Sequence, residues 1–202
     1  MPGLNYTTVA DPIMRSVRRF TPVFACMRTG DRVLDVCCGT GAQVYEYAVL
    51  GLQAVGIDIS PHMLGLSRYY SEKFEGSNLS FQTADAASLP FDDAGFDFAS
   101  ISLALHEKET VLQSQIIFEM KRVVKPGGSL IFIDFTCPLP DNIFSFAIKS
   151  VEFLAGSEHH RNFREYMKRG GLEEILMQTG LKKIKQAYLK AGNIMLVQTA
   201  VD

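Results

Sequence analysis

The chain has 202 residues, 47% of them hydrophobic and 21% charged, with 20 basic against 22 acidic side chains and a net charge of −2. That length and balance fit one α/β domain with its own core, and they give no reason to expect nucleic acid or an anionic membrane as an obligate partner. No apolar run reaches the roughly 18 residues of a membrane span, and the N-terminus lacks the basic-then-apolar build of an export signal, so a cytoplasmic protein with no integral membrane segment is expected.

In chain order, Asp11-Pro12 reads as a cap and first turn, opening a helix that puts Ile13, Val17, Phe20 and Phe24 near one face and breaks or kinks close to Thr21 at Pro22. Residues 1–30 are expected to form an N-terminal helical cap. Strands and helices then alternate. Arg32 to Val36 is a strand and Ala42 to Leu50 a helix. Gln53 to Asp58 is a strand, and Ser60-Pro61 starts a helix reaching about Phe74. Leu79 to Thr83 and Phe96 to Ser102 are strands, and Glu109 to Val124 is a helix. A turn at Pro126-Gly127-Gly128 precedes the strand Ser129 to Phe135. Nearly all-apolar strands between helices predict a parallel sheet covered on both faces. Lys182 to Leu189 and Asn193 to Thr199 are separated by only Lys190-Ala191-Gly192, which makes an antiparallel hairpin and hence one reversed strand near the sheet edge.

The segment from residue 137 to 170 departs from the alternation. It holds Ile143, Phe144, Phe146, Ile148, Val151, Phe153 and Leu154, then the polar run Glu158-His159-His160-Arg161-Asn162. It follows a strand end, where open α/β sheets place ligands, and reads as a helical lid insertion in a single domain spanning residues 1–202. Cys26, Cys37, Cys38 and Cys137 form no C-x-x-C pair, and no His spacing completes a zinc site, so no metal is expected. The adjacent Cys37 and Cys38 read as small buried residues at a strand end rather than as a redox pair.

Four segments fall at strand ends and should converge on one sheet edge. In Val33-Leu34-Asp35-Val36-Cys37-Cys38-Gly39-Thr40-Gly41, glycines let the backbone turn sharply and a ligand lie close. The acid Asp35 beside them suits a cationic or amino-bearing ligand better than a pyrophosphate. Asp58 lies 19 residues after Gly39 at the end of the next strand, where an acid accepts hydrogen bonds from a ribose diol. Asp85 with the small Ala86 can admit a flat base and accept from its exocyclic amine. Ser100 to Glu107 ends the fourth strand. Together these describe an amino-acid-bearing nucleoside. A nicotinamide enzyme fits less well. Gly39-x-Gly41-x-x-Val44 lacks the third glycine, and the Tyr69-x-x-x-Lys73 pair lies on the helix after the second strand rather than past the fourth.

From about residue 30 onward the chain resembles class I S-adenosylmethionine-dependent methyltransferases, and within them the ubiquinone/menaquinone-biosynthesis C-methyltransferase branch. The resemblance rests on Val33 to Gly41, on Asp85-Ala86-Ala87-Ser88-Leu89-Pro90-Phe91-Asp92-Asp93-Ala94-Gly95-Phe96-Asp97, and on Met120-Lys121-Arg122-Val123-Val124-Lys125-Pro126-Gly127-Gly128. It implies a Rossmann-like seven-stranded sheet ordered 3-2-1-4-5-7-6 with strand seven antiparallel. It also implies S-adenosyl-L-methionine as methyl donor, with S-adenosyl-L-homocysteine as product. Carried over, Asp35 would orient the ammonium group, and Gly39, Thr40 and Gly41 would lie against the methionine moiety. Asp58 would bind the ribose, Ile59 and Met63 would pack near the adenine, Asp85 and Ala86 would meet it, and Leu103 would follow at the end of the fourth strand.

The acceptor is expected to be a small, hydrophobic or aromatic molecule, methylated on carbon, oxygen or nitrogen. A phenol or enolisable carbon must lose a proton, which a group titrating near neutrality removes best. His106, just after the fourth strand, is a candidate general base. His159 and His160 are candidates for the acceptor pocket, and Asp134, ending the fifth strand, could face the same cavity. The cofactor motifs describe binding and not turnover, so a non-catalytic sensor or partner subunit stands as the alternative to an enzyme, and monomer and homodimer are both open.

Overall fold

A computed structural model describes residues 6–202, with side chains described from residue 12 onward. The elements are α1 (Tyr6–Phe24), β1 (Arg32–Val36), α2 (Ala42–Val49), β2 (Gln53–Asp58), α3 (Pro61–Lys73), β3 (Leu79–Thr83), β4 (Phe96–Ser102), a short 3-10 turn (Leu105–Glu107) and α4 (Thr110–Val123). They continue with β5 (Val124–Phe135), α5 (Ile143–Leu154), α6 (Ser157–Arg169), α7 (Gly171–Gln178), β6 (Lys183–Leu189) and β7 (Ile194–Ala200). The seven strands make one sheet in the order β3-β2-β1-β4-β5-β7-β6. The first five run parallel, and β7 is antiparallel to both β5 and β6. This is the Rossmann-like fold expected.

The centre of the sheet is closed on both faces. Leu34 and Val36 of β1, Ile101 of β4, Leu130 to Ile133 of β5 and Leu196 and Val197 of β7 are all buried. The strand burial patterns explain the placement of the edge. Six consecutive residues of β7 are buried, whereas β6 is exposed at Lys183, Ile184, Gln186 and Tyr188 and half-buried at Lys185, Ala187 and Leu189, as an edge strand with one open face is.

Two expectations need correction. First, α1 begins at Tyr6, upstream of Asp11, whose side chain lies outside the described residues. Second, α1 runs through Pro22 to Phe24. Proline removes the N–H that would bond the carbonyl four residues earlier, and here Gln43 Nε2 donates to that Arg18 carbonyl at 3.2 Å. The buried stripe is Met14, Val17 and Thr21, with Ile13 and Phe20 exposed. In α5 most of the large apolar side chains face outward, Ile143 80% exposed and Phe146 74%. The inner face carries Ser145 and Glu152, two turns apart and buried, with Ile148 half-buried beside them. Ser145 Oγ donates to Asn193 Oδ1 at 2.6 Å, so a polar anchor sets the rotation of the helix. Helix α7, after the α5–α6 segment, was not anticipated at all.

Phe132, at the middle of β5 between Ile101 and Val197, is fully buried. Phe132→Ala is expected to destabilise the protein by about 3–5 kcal/mol. In urea titration this would lower the unfolding midpoint with the slope unchanged.

Candidate functional site

The strand ends converge as the sequence implies. Asp58, half-buried at the end of β2, accepts from the Gly39 N–H through Oδ2 at 2.9 Å and from the Ser60 N–H through Oδ1 at 2.9 Å. One carboxylate thereby joins the turn after β1 to the start of α3, where Ser60 caps the helix by accepting from the Met63 N–H. Each oxygen keeps a lone pair for a further donor. The turn needs its glycines. Gly39 has φ +55° and Gly41 φ +78°, and a Cβ on Gly41 would lie 2.5 Å from the Phe81 ring. Met63 Cε lies 3.2 Å from where a Cβ on Gly39 would stand, so this side chain lies over the turn. Ile59 is exposed beside Asp58, and Thr40 is buried.

At β3 the Ala84 N–H donates to the Asp58 carbonyl at 3.2 Å, bringing the third strand end alongside the second. Asp85 is exposed and accepts from the Ala87 N–H at 2.9 Å, and Ala86 is buried. Leu103 follows β4 with φ +51° and donates its N–H to the Ile133 carbonyl at 2.7 Å.

Asp35 is 2% exposed and opposite Ser100 of β4, whose Oγ donates to Asp35 Oδ1 at 2.6 Å. Burial pushes the Asp35 carboxyl up to about 7, against the lowering effects of the Ser100 hydrogen bond and of Arg18, with Asp58 adding to the rise. The other titratable neighbours are Cys37, Cys38 and Tyr47, all of which burial pushes upward. The two thiols are thus held away from the reactive thiolate, consistent with a packing role.

A second polar group lies beside this cleft, between β4, β5 and the α5–α6 segment. His106 is buried, with Nδ1 2.6 Å from Asp134 Oδ1 and Nε2 3.7 Å from Glu152 Oε1. His159 Nε2 is 2.6 Å from Glu152 Oε2. Burial disfavours a charged His106 ring, but Asp134, Glu152 and Glu107 outweigh it, and the pKa ends above its ordinary value. Burial likewise raises Glu152, with His106 and His159 pulling it partly back. Phe135, Phe163 and Tyr166 surround the His106 ring with centroids 4.6, 6.0 and 6.1 Å away. Helix α6 is tied down over the cluster by Asn162 Nδ2 donating to the Glu107 carbonyl at 2.8 Å and Tyr166 Oη donating to the Phe135 carbonyl at 3.0 Å.

The structure therefore brings His106, His159 and Asp134 together and separates His160 from them. His160 packs its ring edge-on to Phe153 and lines a cavity of about 1270 Å³ with Cys137, Leu139, Phe163 and Tyr166. His159 lines a smaller one of about 670 Å³ with Glu107, Lys108 and Asn162. Glu152 was missed. Its signal is an acid seven residues before His159 in a helix of mostly large apolar side chains, where a buried charge needs a partner.

Residues 33–128 match the family described as a methyltransferase domain. The demethylmenaquinone methyltransferase of Shouchella clausii is 30% identical over 185 residues, 88% of this chain and 77% of that protein. The ubiquinone/menaquinone biosynthesis C-methyltransferase of Pseudomonas aeruginosa is 32% identical over 188 residues, 89% and 72% of the two chains. In fold, a protein of Pyrococcus horikoshii matches with a TM-score of 0.75 at 18% identity, covering 98% of this chain and 97% of that one. The chain belongs to the class I S-adenosylmethionine-dependent methyltransferases, in the branch of the ubiquinone/menaquinone-biosynthesis C-methyltransferases. It is an enzyme, and its methyl donor is S-adenosylmethionine.

Asp35 makes stability depend on pH. Its folded-state pKa lies above the value near 4 of an unfolded chain, so the folded state holds a proton that the unfolded state has lost. Stability should fall as pH rises from about 4 to about 7, by up to about 4 kcal/mol, and level off above. Asp35→Asn is expected to remove most of that slope in urea melts across this range.

Proposed function

We propose that the protein transfers the methyl group of S-adenosylmethionine to a small hydroxylated aromatic acceptor of the quinol class, bound beside the cluster of His106, Glu152 and His159. The observation that carries this reading is the adjacency of two sites across β4. Ser100 faces Asp35 on the cofactor side, and the chain then continues through Leu103 to His106 on the other.

The residues present fit the donor. Asp58 offers spare lone pairs at the edge of the glycine turn, which suits ribose hydroxyls, and the exposed Ile59 and half-buried Met63 offer apolar surface for the adenine. Ala86 leaves room for a base next to the Asp85 carboxylate. Gly39, Thr40 and Gly41 line the path of the methionine moiety. Asp35, ionised, meets its ammonium group. Leu103 closes the end of the cleft. The bound sulfonium supplies an intrinsically activated methyl group, which leaves the protein the tasks of alignment and acceptor activation.

Activation falls to the cluster. An acceptor hydroxyl or acidic carbon must lose its proton, and His106 and His159 are the polar groups that the fold holds beside the end of β4. The aromatic wall of Phe135, Phe163 and Tyr166 supports the aromatic character of the acceptor. So does the kinship with a demethylmenaquinone methyltransferase. His160 would border the acceptor from the larger cavity, within a lid formed by residues 137–170.

Titration calorimetry with S-adenosylhomocysteine should show binding that weakens at least tenfold in Asp58→Ala, and unchanged affinity would remove Asp58 from the ribose site. Incubation with methyl-labelled donor and a panel of hydroquinones, catechols, amines and carboxylic acids should label the hydroxylated aromatics. Labelling confined to the amines or acids would overturn the acceptor class.

A further inference from the structure

The cluster at His106 has the composition of a metal site, although no His spacing in the sequence suggests one. His106 comes from the turn after β4, Glu152 from α5 and His159 from the first turn of α6. One ligand atom from each lies within 4.8 Å of the others. His106 and Glu152 are 2% and 5% exposed.

A further observation points to a ligand. Asp134 Oδ1 lies 2.6 Å from Nδ1 of His106, which occupies that ring nitrogen and leaves Nε2 as the one that faces Glu152. A carboxylate behind an imidazole in this way is the usual support of a metal-binding histidine. Glu152 Oε2 is buried and paired with His159 Nε2 at 2.6 Å, so α5 and α6 already bring this carboxylate and imidazole together at the cluster.

We propose that His106 Nε2, Glu152 and His159 Nε2 bind one divalent cation of the zinc or iron type, which pins α5 and α6 to the sheet edge. Two imidazoles and one carboxylate suit such a cation, whereas magnesium and calcium favour all-oxygen sets. Metal–ligand distances of about 2.0–2.2 Å place neighbouring donors roughly 3.0–3.5 Å apart. The observed separations, 3.7 Å from His106 to Glu152 Oε1 and 2.6 Å from His159 to Glu152 Oε2, lie on either side of that spacing and run to different oxygens, so binding requires the carboxylate to turn and His159 to draw back. His159 borders the cavity of about 670 Å³, which gives an ion a way in. Three protein ligands leave a coordination position for a further oxygen. If the methyltransferase reading of the acceptor holds, an acceptor hydroxyl there would be acidified by the cation.

The test uses tag-free protein stripped with a chelator, then titrated with Co²⁺ and Zn²⁺. One Co²⁺ per chain is expected, with visible d–d absorption, displacement by Zn²⁺ and a raised melting temperature. Glu152→Gln and His159→Ala should each weaken binding at least tenfold, and His62→Ala, on the exposed start of α3, should not. Should Glu152→Gln fail to fold, the partly exposed His159→Ala decides. Fewer than about 0.1 equivalents bound, or binding unchanged in His159→Ala, would overturn the site. S-adenosylhomocysteine titrated into the same stripped protein separates the two readings. Nucleoside binding without Co²⁺ binding removes the metal alone, and Co²⁺ binding without nucleoside binding removes the cofactor assignment alone.

Discussion

The cofactor side of the molecule depends on one carboxylate. Asp58 accepts from the backbone of Gly39 and of Ser60, so it links two loops that leave neighbouring parallel strands in the same direction. Without such a link the glycine turn would have only its own permissive backbone to define it. With it, the turn is fixed against the start of α3, and Met63, one turn into that helix, is delivered over Gly39. The carboxylate proposed to meet a ribose is the same one that shapes the glycine turn, so on that reading folding of the turn and binding of the nucleoside would be coupled through it.

This half of the molecule was legible in the residues because it is local. A strand that ends in an acid, a glycine turn and a capped helix are each written within about ten residues, and the sheet places successive strand ends side by side. What was not legible depended on partners far along the chain. Pro22 breaks a helix unless something bonds the carbonyl it abandons, and the side chain that does so, Gln43, lies 25 positions away. Helix α5 shows the same limit more sharply. Its sequence says which residues are apolar, and the ordinary inference turns them inward. The rotation is instead set by Ser145 meeting Asn193 and by Glu152 meeting two histidines. A buried acid without partners would be costly, so those partners, invisible at the level of periodicity, decide the orientation of the helix.

The two halves are also held by different kinds of force. The cofactor cleft is anchored to strand register, in which Asp35 faces Ser100 and Asp58 faces Thr83 through continuous backbone ladders. The α5–α6 side is attached by a few side-chain contacts, chiefly Asn162 to the Glu107 carbonyl, Tyr166 to the Phe135 carbonyl and the His106–Glu152–His159 cluster. Substituting two or three of these residues would reshape the acceptor side and leave the sheet intact.

That asymmetry explains why identity near 30% over most of the chain carries the donor chemistry and leaves the acceptor to be argued from the site. The proposed donor site is built on strand ends whose positions the sheet topology fixes. The proposed acceptor side is built on helices whose rotation rests on individual polar pairs, and among these Glu152 holds the central position. It is paired with the sheet side through His106 and with the helical side through His159. A single acid in an apolar helix thus orients α5, links α6 to the sheet edge and completes the polar surface beside which an acceptor would lie.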